Sequence, residues 1–196
     1  MKKNKPFLVV DTETGGLDCN EHSLLSIAGV AWDVDSGVTP LFSFYVKESG
    51  IVATKQALNV NKIDLKEVRN TGLVPREAVS RIRGALDAHF GAHRSPIQLV
   101  AHNAPFDLGF IRRLYRRAQE EFSEDFRDRA LDTCSILQFL IMTGAAEGYR
   151  ASADVLFKTA GVSIPENERH TALGDAMATA ESMHIILNKL RSENND

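Results

Sequence analysis

Four carboxylates and one imidazole stand in three short stretches of this chain: Asp11 and Glu13 in VVDTETGG, Asp107 in AHNAPFDLGFIRRL, and His170 and Asp175 in RHTALGDAMATA. Asp11 and Glu13 are two residues apart where an apolar run ends, and side chains at i and i+2 of a strand point to one face. Two like charges at the edge of an apolar sheet are costly unless a cation joins them. Gly15 and Gly16 then supply the backbone freedom for a sharp turn that leaves the strand end open. Asp107 shares a helix face with Phe110, Ile111 and Leu114. An acid at the head of such a stripe either caps its helix or serves a ligand, and Asn103 already offers a cap. His170 and Asp175 are five apart, about 140° around a helix axis, so one helix cannot aim both at one target. With Thr171 as N-cap, His170 falls on the preceding loop and Asp175 in the first turns of the helix.

Taken singly, these stretches also fit solvated turn acids, a helix cap and a partner of a helix dipole. Taken together, they describe four converging carboxylates, whose charge two divalent ions would balance. Ligands that are all oxygen favour hard cations, hence Mg²⁺ or Mn²⁺ rather than zinc. Two such ions about 3.5–4 Å apart clamp an in-line displacement at phosphorus.

The elements that must hold these residues follow from the apolar pattern. PFLVV (6–10) predicts a buried central strand ending at Asp11. LLSIAGVAW (24–32) and PLFSFYV (40–46) predict two more, joined by the turn DVDSG as an antiparallel meander. PREAVSRIRGALDAHF (75–90) predicts a helix with Pro75 in its first turn. IQLVA (97–101) predicts a strand that feeds through HNAP into a helix over 106–119. RALDT (129–133) holds a last short strand before a helix over 134–144. Ser152 caps a helix ending at Gly161, and Thr171 caps a final helix running to about Leu190. In that last helix Asp175 lines up with Ala178, Thr179 and Ser182, small residues that let it approach the sheet closely. Three early strands, then alternating strand and helix, predict a mixed α/β sheet with helices on its faces.

The 196 residues fit one domain, with a core over about 6–190 and a polar tail, RSENND, at 191–196. A net charge of −3 confines any nucleic-acid contact to a local basic patch. Cys19 and Cys134 lie far apart with no CxxC motif and read as reduced thiols of a cytoplasmic protein, with metal binding or a disulfide as the lesser alternative. The basic start, MKKNKPFLVV, has an apolar run only from Phe7 to Val10, too short for a signal peptide, and no stretch approaches the ~20 apolar residues of a membrane span.

In order and spacing, DTETGG, AHNAPFD and HTALGDA resemble the three exonuclease motifs of the DEDDh (DnaQ-like) 3′–5′ exonucleases. That family includes the proofreading epsilon subunit of bacterial replicative polymerases and ribonuclease T. The resemblance runs from Phe7 to about Leu190, with lesser echoes in ALNVNKI (57–63), RALDT and SADVLFKTAGV (152–162). It implies a ribonuclease H-like α/β fold, a five-stranded mixed sheet with its second strand antiparallel, flanked by helices. It also implies two divalent metal ions, Mg²⁺ or Mn²⁺. Asp11 would bridge both, Glu13 and Asp175 would bind the nucleophile-side ion, and Asp107 would act on the second largely through water. His170 matches the family's general base, a task that suits an imidazole near neutral pH. The implied product is a nucleoside 5′-monophosphate from the 3′ end of a nucleic acid, with single-stranded DNA favoured and RNA as the alternative.

In the family, backbone and hydroxyl groups just after the first acid hold the terminal 3′-OH, which points to Thr12, Glu13 and Thr14 here. Leu17 matches a hydrophobic wedge between the last bases, and Asn103 and Phe106 lie where they would line the end pocket. Gly15 stands where many relatives have a hydroxyl residue, and Asn61 where many have histidine, so neither contact carries over. The stretch after Leu190 is too short for the epsilon subunit's polymerase-binding extension, so a free-standing nuclease is expected, with a homodimer allowed and no membrane partner.

A non-catalytic nucleic-acid-binding protein on the same fold would lack one of the acids or the histidine, and all five are present. A phosphatase with an aspartyl nucleophile needs aspartate where Glu13 stands. Asp132, in LDTCS, reads as a helix N-cap. His22, His89, His93 and His184 read as surface or helix-end residues, and Trp32 as core. Arg112, Arg113, Arg116 and Arg117 form one helix face, read as solvated, with a phosphate-tracking stripe as the alternative.

Overall fold

The computed structural model describes residues 7–193. The N-terminal basic cluster, Pro6 of the first predicted strand and residues 194–196 of the polar tail lie outside them. Five strands form: β1 (Phe7–Thr14), β2 (Leu24–Asp33), β3 (Gly37–Tyr45), β4 (Gln98–Ala101) and β5 (Leu131–Asp132). They make one sheet in the order β3-β2-β1-β4-β5. β2 runs antiparallel to β1 and β3, while β1, β4 and β5 are parallel. This is the mixed sheet with an antiparallel second strand that the motifs imply.

The helices are α1 (Lys55–Asn61), α2 (Leu65–Thr71), α3 (Pro75–Phe90), α4 (Ala104–Ala118), α5 (Phe122–Asp125), α6 (Thr133–Met142), α7 (Ala153–Ala160) and α8 (Ala172–Glu193). Alternation along β1 divides the core between the two faces of the sheet. Leu8 and Val10 pack with Ile82 and Leu86 of α3 and Phe110 and Leu114 of α4. Val9 packs on the other side with Trp32, Leu137 of α6, Leu156 of α7 and Ala176 and Ala180 of α8. Ala178, Thr179 and Ser182 are buried as α8 crosses the sheet, and Trp32 is core as its pattern predicts. Among the described residues, no helix is long and apolar enough to cross a membrane. Cys19 and Cys134 are free thiols.

Local chemistry sets the element ends. Ser152 Oγ accepts from Val155 N (3.4 Å), and α7 stops at Gly161 in the left-handed region (φ 74°). The DVDSG turn closes because Asp33 Oδ1 accepts from the amides of Asp35 and Ser36, with Gly37 following at φ 104°. The apolar pattern does not predict α1 and α2. Each has seven residues, too few to display a period, and each starts on a side-chain cap: Thr54 for Ala57 N and Asp64 for Lys66 N.

β1 departs from its predicted end. The strand does not stop at Asp11 but continues through Thr14, pairing Asp11 with Ala28 and Glu13 with Ser26 of β2. On its other side β4 pairs only with Phe7, Leu8 and Val9, because the chain leaves β4 at Ala101 to enter α4. Asp11 and Glu13 therefore project past the carboxyl end of a shorter parallel neighbour, the place where open α/β sheets bind ligands.

Candidate active site

Asp11 and Glu13 lie on the β1 face that carries Val9, toward α8. Asp175 meets them from the first turn of α8, and one carboxylate oxygen from each of the three lies within 4.8 Å of the others. Thr171 sets the start of that helix as predicted: its Oγ1 accepts from Gly174 N (3.1 Å) and donates to the Glu168 carbonyl (2.7 Å). A Cβ on Gly174 would collide with that same carbonyl oxygen, so glycine is what lets the 168–170 loop lie against α8. His170 closes the loop in the left-handed region (φ 61°), a conformation that costs a non-glycine residue about 1 kcal/mol or more. Its side chain is 48% exposed, and its Nδ1 is 4.0 Å from Asp175 Oδ2. The base candidate and the acid thus face one small volume from a loop and a helix.

Asp107 stands slightly apart. It is buried in the first turn of α4, where Thr12 Oγ1 donates to its Oδ1 (2.7 Å). Thr12, expected beside the substrate, is first of all the hydrogen-bond partner of this acid. The backbone that delivers Asp107 is held by Asp132. Its Oδ1 accepts from Asn103 N (2.9 Å) and Ala104 N (3.1 Å), while its Oδ2 accepts from Ser135 N (3.2 Å) at the start of α6. Asp132 caps α6 as the sequence predicts, and α4 as well. Asn103 does not cap α4: it sits at the N-cap position with φ 68° and no side-chain bond, because Asp132 already fills the role.

The cluster is electrostatically costly without a cation. Burial first, then Asp107, Glu13 and Asp175, push the Asp11 carboxyl well above its ordinary range. Burial and the charges of Asp175 and Asp107 raise Glu13 to about 8. Burial raises Asp107 to about 7 against the pull of the Thr12 hydrogen bond. Asp175 is raised by burial and held back by Arg169. Burial and mutual repulsion of this kind are what a hard divalent ion on carboxylate oxygens relieves, so the donor set fits one.

A cavity of about 390 Å³ opens beside the acids, lined by Thr12, Thr14, Leu17 and Phe106 together with His22 and Asn61. Leu17 is 86% exposed, free to reach a ligand. Its loop is pinned from α4: buried Arg113 donates Nη1 to the carbonyls of Cys19 and His22 and Nη2 to Glu48 (3.1 Å). Asn103 does not line this cavity.

An exonuclease family model matches residues 8–183, the span that holds all four of these acids and the histidine. The chain belongs to the exonuclease family. Ribonuclease T of Shewanella frigidimarina is 31% identical over 194 residues, covering 94% of this chain and 83% of that protein. A DNA polymerase III subunit epsilon-like protein of Rhodobacter capsulatus is 46% identical over 94 residues, 48% of this chain and only 12% of that protein. Among solved structures, E. coli exonuclease I in complex with a dT13 oligonucleotide superposes with a TM-score of 0.78 over 98% of this chain and 43% of the other. At 16% identity that likeness speaks for the fold alone.

Within this exonuclease fold the local reasons differ from expectation at three places. Gly15 and Gly16 do not take left-handed backbone; a Cβ on Gly15 would strike the Val52 carbonyl and one on Gly16 the His22 ring, so close packing is what requires them. The arginine face of α4 is neither evenly solvated nor a uniform stripe. Arg113 is buried, Arg117 pairs with Glu48 (3.2 Å), Arg112 lies over the Phe122 ring (4.4 Å), and Arg116 is exposed. Arg169, which no motif singles out, donates Nη1 to both oxygens of Asp175 (2.7 and 2.6 Å). Its contact spans a loop–helix junction at a separation of six residues, which no helical or strand period marks.

Proposed function

We propose that this exonuclease is a metal-dependent 3′–5′ enzyme that hydrolyses the terminal phosphodiester of single-stranded nucleic acid and releases nucleoside 5′-monophosphates. One observation carries the reading: carboxylate oxygens of Asp11, Glu13 and Asp175 within 4.8 Å of one another, beside an exposed imidazole and a cavity sized for a nucleotide. Asp11, Glu13 and Asp175 would hold one divalent ion, and Asp11 with Asp107 a second. Mg²⁺ or Mn²⁺, when bound, would supply Lewis acidity at the scissile phosphate and offset the clustered negative charge. His170 takes the proton of the attacking water from its place on the loop. The water oxygen bonds to phosphorus, and the P–O3′ bond breaks with its electron pair on the O3′ of the penultimate nucleotide. That oxygen takes a proton from solvent to become the new 3′-OH, while the terminal nucleotide leaves with the phosphate on its 5′ oxygen. Thr14 and the Glu13 backbone hold the terminal 3′-OH, while Leu17 and Phe106 flank the last base.

Single-stranded DNA is the favoured substrate, as the resemblance of the three motifs implies. RNA is the second reading, favoured by the ribonuclease T relatives, which align along 94% of the chain. Matched 5′-labelled DNA and RNA oligonucleotides decide between them: the true substrate shortens from its 3′ end in a ladder. Asp11→Ala abolishes that ladder, and excess EDTA stops it. His170→Ala lowers kcat by about 10²–10⁴-fold while Mn²⁺ binding, followed by calorimetry, persists. Full activity in EDTA would overturn the metal-dependent mechanism.

A further inference from the structure

Arg169 reaches four side chains, His170 among them. Its Nη1 reaches both Asp175 oxygens (2.7 and 2.6 Å), its Nη2 reaches Asp154 Oδ1 (2.8 Å), and its guanidinium carbon lies 5.4 Å from the centre of the Phe157 ring. Asp154 and Phe157 both belong to α7, so the guanidinium is strung between α7 and the first turn of α8. A carboxylate that serves as a ligand for a hard cation takes it at about 2.0–2.6 Å from an oxygen. Both Asp175 oxygens already accept from one positively charged group. A divalent ion on the same carboxylate would sit within a few ångströms of the guanidinium, in a half-buried place where like charges are poorly screened.

We propose that Arg169 is a resident counter-cation of the acidic cluster, which orders Asp175 before an ion arrives and competes with that ion for it. The inference rests on the cation-binding reading of the cluster given above. Ion binding is then an exchange. Nη1 gives up Asp175, and the Asp154 carboxylate and the Phe157 face remain as the perch that keeps the guanidinium beside the site. Arg169 so sets the divalent-ion affinity. Its Nη1 is also 3.5 Å from His170 Nδ1, so the exchange alters the surroundings of the imidazole when the ion is loaded.

Calorimetric titration of the full chain with MnCl₂, comparing wild type, Arg169→Gln and Arg169→Lys, tests this together with thermal melts in EDTA and in saturating MnCl₂. Arg169→Gln is expected to bind Mn²⁺ roughly tenfold more tightly, as loss of one partly buried competing ion pair implies. It should also melt lower than wild type in EDTA, with the gap narrowing in MnCl₂. Arg169→Lys keeps a charge but has one ammonium for two carboxylates, so its affinity should fall between the other two. Equal or weaker Mn²⁺ binding by a folded Arg169→Gln overturns the competition. Wild type that binds no divalent ion overturns it too, and takes the cation-binding reading with it. The wild-type titration thus separates the two failures.

Discussion

At the scale of single residues, the site is built from carboxylates whose neighbours hold opposing demands. Asp107 must be ionised to serve a cation, yet burial raises it to about 7. The Thr12 hydrogen bond (2.7 Å) is among the interactions that hold it down. Replacing the hydroxyl with a methyl, Thr12→Val, removes that stabilisation of the charged form and moves the Asp107 pKa further up. The acid limb of the pH–rate profile should therefore move to higher pH. At a fixed pH on that limb, activity should drop about tenfold for a displacement of one pH unit. A profile superposable on wild type would show that Asp107 ionisation does not govern the limb. The residue types were legible in the sequence because carboxylates two apart on a strand must share a face. The Thr12–Asp107 bond was not, since it joins residues 95 apart across two elements.

At the scale of elements, the strands, the caps of α7 and α8 and the limits of α3 were readable, because each rests on a local rule: a period, a cap, a proline in the first turn. What was not readable depends on neighbours. β1 runs on to Thr14 because β2 continues to pair with it, and Gly15 is glycine because the 52–53 backbone lies against it. Asp132 shows both sides. Its cap of α6 is local, while its grip on Asn103 N and Ala104 N comes from β5 lying beside β4. Asp132→Ala strips accepting groups from two helix starts, each cap being worth about 1 kcal/mol, so Tm should fall by about 4–8 °C. Asp132→Asn keeps an acceptor oxygen and should recover most of that loss. If Asp132→Ala melts like wild type, Asp132 does not brace α4.

At the scale of the whole molecule, the same sheet that organises the core assembles a charge cluster it must carry in the absence of a cation. The consequence is a pH-dependent stability whose sign is fixed. Glu13 rises from 4.5 to about 8 and Asp107 from 3.8 to about 7 on folding, so between those limits the native state binds protons that the unfolded chain has released. Stability then falls as pH rises. In EDTA, Tm should drop steadily between about pH 4.5 and pH 8 and level off above. A saturating hard cation binds the ionised cluster of the folded state and stabilises it by mass action. The gap between melts in MgCl₂ and in EDTA should therefore widen across the same pH range. Glu13→Gln removes one of the titrating groups and should flatten the EDTA curve. Other groups titrate in both solutions, so the difference between the two curves isolates the cluster. A gap that stays constant with pH would mean that the carboxylates are ionised in the folded chain from the start, with their repulsion relieved by Arg169 alone.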